Sequence, residues 1–184
     1  IKDGKSFDTS MGFSPLAGIT MATRSGDVDP SLVAFVQEKL GVSSQEMISI
    51  LNHKSGLLGI SQLSPDMRDI LAAADKGNDQ AQLALDMYVN RIVRYVGAYI
   101  AEMDGADAIV FTAGVGENSI PVRKMVTDKL AYFGIKIDQE KNKCHGVERD
   151  LSADDAKIKT LLIPTNEELM IVRDIERLKK EQGK

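Results

Sequence analysis

Residues 108–119 read AIVFTAGVGENS. The β-branched pair Ile109-Val110 with Phe111 predicts a strand over 108–112, and Gly114-Val115-Gly116 predicts a turn before a helix starting at about Ser119. Glycines let backbone approach a ligand closely, and a helix N-terminus adds a positive dipole, so such an edge can hold a phosphate or a nucleotide. The third glycine of the dinucleotide fingerprint is missing, because Ser119 holds its place, and the Gly-Lys-Ser/Thr ending of a P-loop is absent too. Glu117 and Asn118 add polar side chains at the same edge. Taken locally, the stretch reads equally well as a tight strand-to-helix turn without a ligand.

The elements on either side decide the class. Ahead of the strand, Leu85, Val89, Ile92, Val96, Tyr99, Ile100 and Met103 recur at helical spacing and predict one long helix over 79–103, stopped by Asp104-Gly105. After the turn come a helix to about Tyr132 with Pro121 in its first turn, a short strand at 134–138, and a polar loop or edge at 141–157. A buried strand at 160–163 and a last helix to about Lys179 follow. This alternation predicts an α/β fold in which helices cover a sheet. Residues 30–76 predict a helical insertion or lateral layer of three helices. They start at Asp29-Pro30, at Ser43 or Ser44, and at Ser64-Pro65-Asp66, and they end at Gly41, about His53 and Gly77. Residues 12–30 read as a long ordered loop. Asp3-Gly4 predicts a two-residue hairpin turn with 5–11 as its second arm. Only Ile1 and Lys2 precede it, so the chain is expected to open inside a strand.

Bulk properties narrow the function. At 184 residues the chain can bury one domain with an elaboration. A net charge of −4 without dense Lys/Arg blocks argues against a nucleic-acid surface, which needs clustered positive charge. No apolar run approaches the roughly 20 residues of a membrane helix. Cys144 is the lone cysteine, so no intrachain disulfide forms and a reducing cytoplasm is the default; with only His53 and His145 beside it, no zinc motif can be assembled.

Three further segments carry candidate chemistry. Arg24, in TRSGD (23–27), offers a guanidinium fork suited to carboxylate or phosphate oxygens; the plainer alternative is a salt bridge to Asp27 or Asp29. In SPDMRD (64–69), Asp66 can cap a helix and Arg68 can lie on its solvated face. In PTNEE (164–168), Thr165 and Glu168 match a capping box, which leaves Glu167 free to hold Mg²⁺ through water and substrate phosphates. Alternatively, Glu167 is only a charge matched to the helix dipole. His53 reads as a helix-terminal residue and His145 as a solvated one.

The stretches FDTSMGFSPLAGITMATRSGD, NHKSGLLGIS, SPDMRDI, FTAGVGENS and PTNEELMI stand in the order and spacing of the acetate kinases, which the chain resembles over nearly its whole length. The resemblance is to their C-terminal domain alone. It implies a single ribonuclease-H-like domain of the actin-like ATPase class over 1–184, a mixed sheet flanked by helices with a helical elaboration at about 30–103. It also implies ATP/ADP and Mg²⁺ as ligands, acetate as phosphoryl acceptor, and a homodimer formed through this domain, with no membrane or nucleic-acid partner.

Residue by residue, the resemblance assigns Arg24 to the transferring phosphoryl group. Asp66, Met67 and Arg68 would line the nucleotide site, and Gly114, Val115, Gly116, Glu117 and Asn118 would hold the adenosine end. Glu167 would be the magnesium-associated carboxylate. Ala17 and Ala22 stand where many relatives carry Glu and Gly. The family's catalytic histidine and acetate pocket are not among these residues, so the choice among acetate, propionate and butyrate stays open. A structural dimerisation module is the reading from another class.

Overall fold

Side-chain caps set the first two helices. In the computed structural model, which describes residues 1–183, Asp29 accepts the Ser31 amide and opens α1 (Pro30–Leu40) with Pro30 at its start, and Gly41 closes it at φ 64°. Ser43 and Glu46 form a reciprocal capping box at the head of α2 (Ser44–His53). These are the boundaries the sequence predicts. The structure divides into two compact units, Ile1–Ala106 and Asp107–Lys184.

The first unit is helical. After α2 come α3 (Gly56–Ser61), α4 (Met67–Asp75) and α5 (Asp79–Glu102), with α3 and α4 packed on α5. Met47, Leu51, Leu57, Met67, Ile70, Ala81, Ala84, Leu85 and Val89 form its core. Of the stripe expected on α5, Leu85 and Val89 are fully buried, while Ile92, Val96, Tyr99, Ile100 and Met103 are half-buried. Two expectations are corrected. Residues 5–11 form no strand, although Asp3 and Gly4 do make the turn, both at positive φ, with Lys2 and Lys5 exchanging bonds of 2.9 and 3.0 Å. The stretch GLLGIS folds as α3. Asp66 caps α4 with Pro65 just ahead of it, as the start at Ser64-Pro65-Asp66 predicts.

The second unit is α/β. It runs β1 (Ala108–Phe111), α6 (Ala113–Asn118), α7 (Ile120–Lys129), β2 (Arg149–Asp150), β3 (Lys159–Leu162) and α8 (Glu167–Glu181). The mixed sheet has the order β1-β3-β2, with β1 parallel to β3 in the register Ala108↔Lys159 to Phe111↔Leu162, and β2 antiparallel to β3. Phe111, Val122, Val126, Leu130, Ile135, Leu151, Ile158 and Leu162 are its buried apolar residues. The strand expected at 134–138 is reduced to isolated bridges, Ile135 to Ile158 and Ile137 to Ser152. The glycine turn at 113–118 is itself a short helix.

Candidate functional site

Parallel neighbours end on the same edge of a sheet, and in open α/β sheets ligands bind outside those carboxyl ends. At the shared ends of β1 and β3, the hydroxyls of Thr112 and Thr165 are 2.7 Å apart. One carboxylate oxygen, Glu117 Oε1, accepts the amides of Ala113 at 2.7 Å and Thr165 at 2.8 Å. Ala113 stands at φ 56°, a left-handed conformation that costs a non-glycine residue roughly 1–2 kcal/mol, and the bond to Glu117 holds it there. Gly114 borders open space where a Cβ would project, whereas Gly116 leans on the Phe111 backbone. Asn118 Nδ2 donates to the Gly114 carbonyl at 3.0 Å. The candidate residues Gly114 to Asn118 therefore form a braced loop, with Gly114 open on its outer side.

The Thr165–Glu168 capping box does not form. Asn166 caps α8, its Oδ1 accepting the Leu169 amide at 3.0 Å, because the Thr165 amide is already taken by Glu117. Glu167 and Glu168 both stand exposed in the first turn of α8, and capping does not tell them apart. Among the described residues the Glu167 carboxylate makes no hydrogen bond or ion pair, and no group of three metal-binding side chains exists.

Arg123, on α7, is a residue that motif reading missed. It is 0% exposed, and all five of its N–H groups are used. Nε donates to Asn142 Oδ1 at 2.7 Å, and one terminal nitrogen donates to the carbonyls of Gly116 and Glu117 at 2.9 and 2.8 Å. The other donates to the carbonyls of Asn142 and Cys144 at 2.9 and 2.8 Å. Close by, His145 is not simply solvated, since its Nδ1 lies 3.0 Å from the Asn118 carbonyl oxygen.

In the first unit, Arg24 sits half-buried in a loop held by α3. The amides of Ser55, Leu57 and Leu58 donate to the carbonyls of Thr23, Met21 and Ala22 at 2.9–3.0 Å, so the orphan donors of that helix start anchor the loop. The Ser25 amide adds a bond to the Leu51 carbonyl at 2.9 Å. The salt bridge considered for Arg24 is absent, for both candidate carboxylates are committed elsewhere. Asp29 caps α1, and Asp27 Oδ2 takes the Tyr95 hydroxyl at 2.5 Å and Arg91 at 3.3 Å. Among the described residues, the side-chain bond of Arg24 is to Met21 Sδ at 3.7 Å. Burial opposes ionisation of Asp27, yet hydrogen bonds from Tyr95 and the Gly18 amide, with Arg91 and Arg94 nearby, bring its carboxyl below the ordinary value. The same bond pushes the Tyr95 phenol up to about 12, with burial and the Asp27 charge adding to it.

Asp66 accepts the Arg68 amide at 2.8 Å and faces its guanidinium at 2.5–3.2 Å, which lowers the Asp66 pKa to about 2. The pair is surface chemistry, for the Arg68 side chain is 88% exposed. The Met67 side chain is in the core, so any contact it makes with a ligand falls to its backbone.

The model of the acetokinase family matches residues 1–173. The acetate kinase of Limosilactobacillus fermentum is 74% identical over 181 residues, covering 98% of this chain and 46% of its own length. That of Lactiplantibacillus plantarum is 61% identical over 99% of this chain and 46% of its own. Among solved structures, Porphyromonas gingivalis acetate kinase superposes with a TM-score of 0.90 at 43% identity, over 95% of this chain and 44% of that one. A propionate kinase from Francisella tularensis gives 0.86 at 43% identity, over 93% and 44%. The chain spans about half the length of the curated relatives it matches. No helix among the described residues is long and apolar enough to cross a membrane.

Proposed function

The chain belongs to the acetokinase family, and from that premise we propose that it is the C-terminal, nucleotide-holding part of an acetate kinase. The observation that carries the reading is the braced edge where β1 and β3 end together: Thr112 against Thr165, Glu117 across both loops, and Gly114 open outward. Gly114, Val115, Gly116, Glu117 and Asn118 would receive the adenosine end of ATP or ADP. Asp66 and Arg68, with the Met67 backbone, are assigned to nucleotide binding by the family resemblance.

The reaction proposed is in-line phosphoryl transfer. A carboxylate oxygen of acetate attacks the γ-phosphorus, the bond to the bridging oxygen breaks, and its electron pair leaves with ADP. No protein nucleophile is required, so positioning and charge neutralisation do the work. Arg24, whose guanidinium faces no carboxylate among the described residues, has donors to spend on the equatorial oxygens of the phosphoryl group. Glu167 fits magnesium, which keeps several waters and takes one or two carboxylates beside substrate phosphates. When bound, that ion would neutralise charge on the phosphate oxygens.

A homodimer through this part of the protein is proposed as well. The support is apolar exposure on the helical layer: Leu32 at 51%, Phe35 at 56% and Leu40 at 56% on α1, with Ile48 at 44% on α2. Sedimentation should give dimers; monomers at micromolar concentration would remove this part of the reading.

The functional test is phosphoryl transfer in a protein of full family length that carries this sequence. ATP and acetate should yield acetyl phosphate and ADP. Transfer to propionate or butyrate in preference to acetate would shift the reading to a neighbouring carboxylate kinase, and no transfer to any short carboxylate would refute it. The 184-residue chain alone is expected to turn over negligibly, since misplacement by an ångström already costs about a hundredfold.

A further inference from the structure

A buried charge normally keeps a carboxylate close, because desolvation outweighs most other gains. Arg123 is wholly buried and, among the described residues, has no ion pair. Its charge is met instead by carbonyl dipoles, and two of them, at Gly116 and Glu117, belong to the last turn of α6, the negative end of that helix. A purely structural link between α6 and α7 could be made by an apolar side chain at a smaller desolvation cost. What a guanidinium adds is direction: one planar fork fixes two successive carbonyls, and with them the turn of backbone that presents Gly114.

Asn142 sets the plane of that fork. It is also 0% exposed, with Oδ1 on Arg123 Nε at 2.7 Å and Nδ2 donating to the Ile120 carbonyl at 3.2 Å. His145 then reaches the Asn118 carbonyl, so the segment 142–145 holds the back of the loop whose front faces solvent at Gly114. We infer that Arg123 and Asn142 are positioning residues for the nucleotide loop Gly114–Asn118, acting on nucleotide affinity without touching the nucleotide. This rests on the proposal that the loop receives ATP.

The test uses Arg123→Lys, Asn142→Ala, Asn142→Asp and Gly114→Val, with two readouts. The first is amide hydrogen exchange of the intact chain. Arg123→Lys and Asn142→Ala should speed exchange at 115–119 about tenfold while β1 and β3 stay within about twofold, the mark of local release. Acceleration shared equally by the strands means a general packing role and overturns the inference. The second readout is steady-state kinetics in the full-length kinase. The same two variants should raise KM for ATP about tenfold with KM for acetate within about twofold, and Asn142→Asp, which keeps an oxygen on Nε, should restore most of the loss. If both leave KM for ATP unchanged while Gly114→Val raises it, the inference fails and the nucleotide proposal stands. If Gly114→Val leaves it unchanged, the nucleotide proposal itself fails.

Discussion

Glu117 and Thr165, 48 residues apart in the chain, meet through a 2.8 Å hydrogen bond from the Thr165 amide to Glu117 Oε1. Because the same oxygen takes the Ala113 amide, one side chain joins the ends of two parallel strands and holds a residue in a left-handed conformation. Glu117→Ala should therefore lower stability by about 0.5–1.5 kcal/mol, the net worth of a hydrogen bond whose amides can turn to water once the carboxylate is gone. Urea denaturation measures it. Glu117→Gln keeps an acceptor oxygen and should recover at least half of the loss. An alanine variant as stable as the parent would mean that water replaces the carboxylate at no cost.

The role proposed for Arg24 can be separated from folding. Its side-chain partner among the described residues is a methionine sulfur, and its loop is anchored by backbone bonds that a substitution leaves in place. In a protein of full family length that carries this sequence, Arg24→Ala should reduce kcat for the proposed phosphoryl transfer by roughly 10³–10⁵, the range for an arginine that stabilises transferring phosphoryl charge. The unfolding midpoint should barely move. A kcat within tenfold of the parent would remove Arg24 from the proposed machinery; a large stability loss would assign it to the fold.

The Asp27–Tyr95 pair makes a pH prediction. The Tyr95 phenol is pushed up to about 12 by its hydrogen bond to Asp27, by burial and by the Asp27 charge. Its folded pKa lies above the unfolded value of about 10, so its contribution to stability is complete below pH 10 and is lost as pH rises toward 12. Ultraviolet titration should show one tyrosine ionising near pH 12, and Asp27→Asn should bring that step down toward 10. If the highest tyrosine step is unchanged in Asp27→Asn, the bond is not formed in solution.

What could be read from the chain follows the range of the forces involved. Caps and stops at Asp29, Gly41 and Ser43 depend on neighbours three or four residues away, and they stand where local chemistry puts them. α3 was hidden because its first-turn amides are satisfied by carbonyls of 21–23 rather than by a local cap, and GLLGIS carries two glycines. The capping box at Thr165 is a correct motif overruled by a residue from another loop. Arg123 looks like any helix-surface arginine until the turn at 142–144 brings carbonyls around it. On the candidate site, the end of β1 before the glycines was legible in the sequence. What braces it was not, since Glu117, Thr165, Arg123 and Asn142 meet only in the folded unit.

Gly56 shows how closely the Arg24 loop is fitted to α3. It adopts φ 60°, and a Cβ built on it would stand 2.3 Å from the Met21 carbonyl oxygen and 2.8 Å from that of Arg24. Backbone cannot yield as a flexible side chain can, so Gly56→Ala must displace the loop or the helix start. Gly41 is the control: its φ is 64°, but the space around it is open, and Gly41→Ala should cost only the left-handed conformation, about 1–2 kcal/mol. Gly56→Ala should cost about 1–3 kcal/mol more than that, the range of an overpacked site, and, on the role proposed for Arg24, should also reduce turnover by moving it. Chemical denaturation of both variants, with kcat measured in a protein of full family length that carries this sequence, checks the pair. Equal costs at the two positions would show that the contact between Gly56 and the Arg24 loop is loose, and that Arg24 owes its placement to something other than α3.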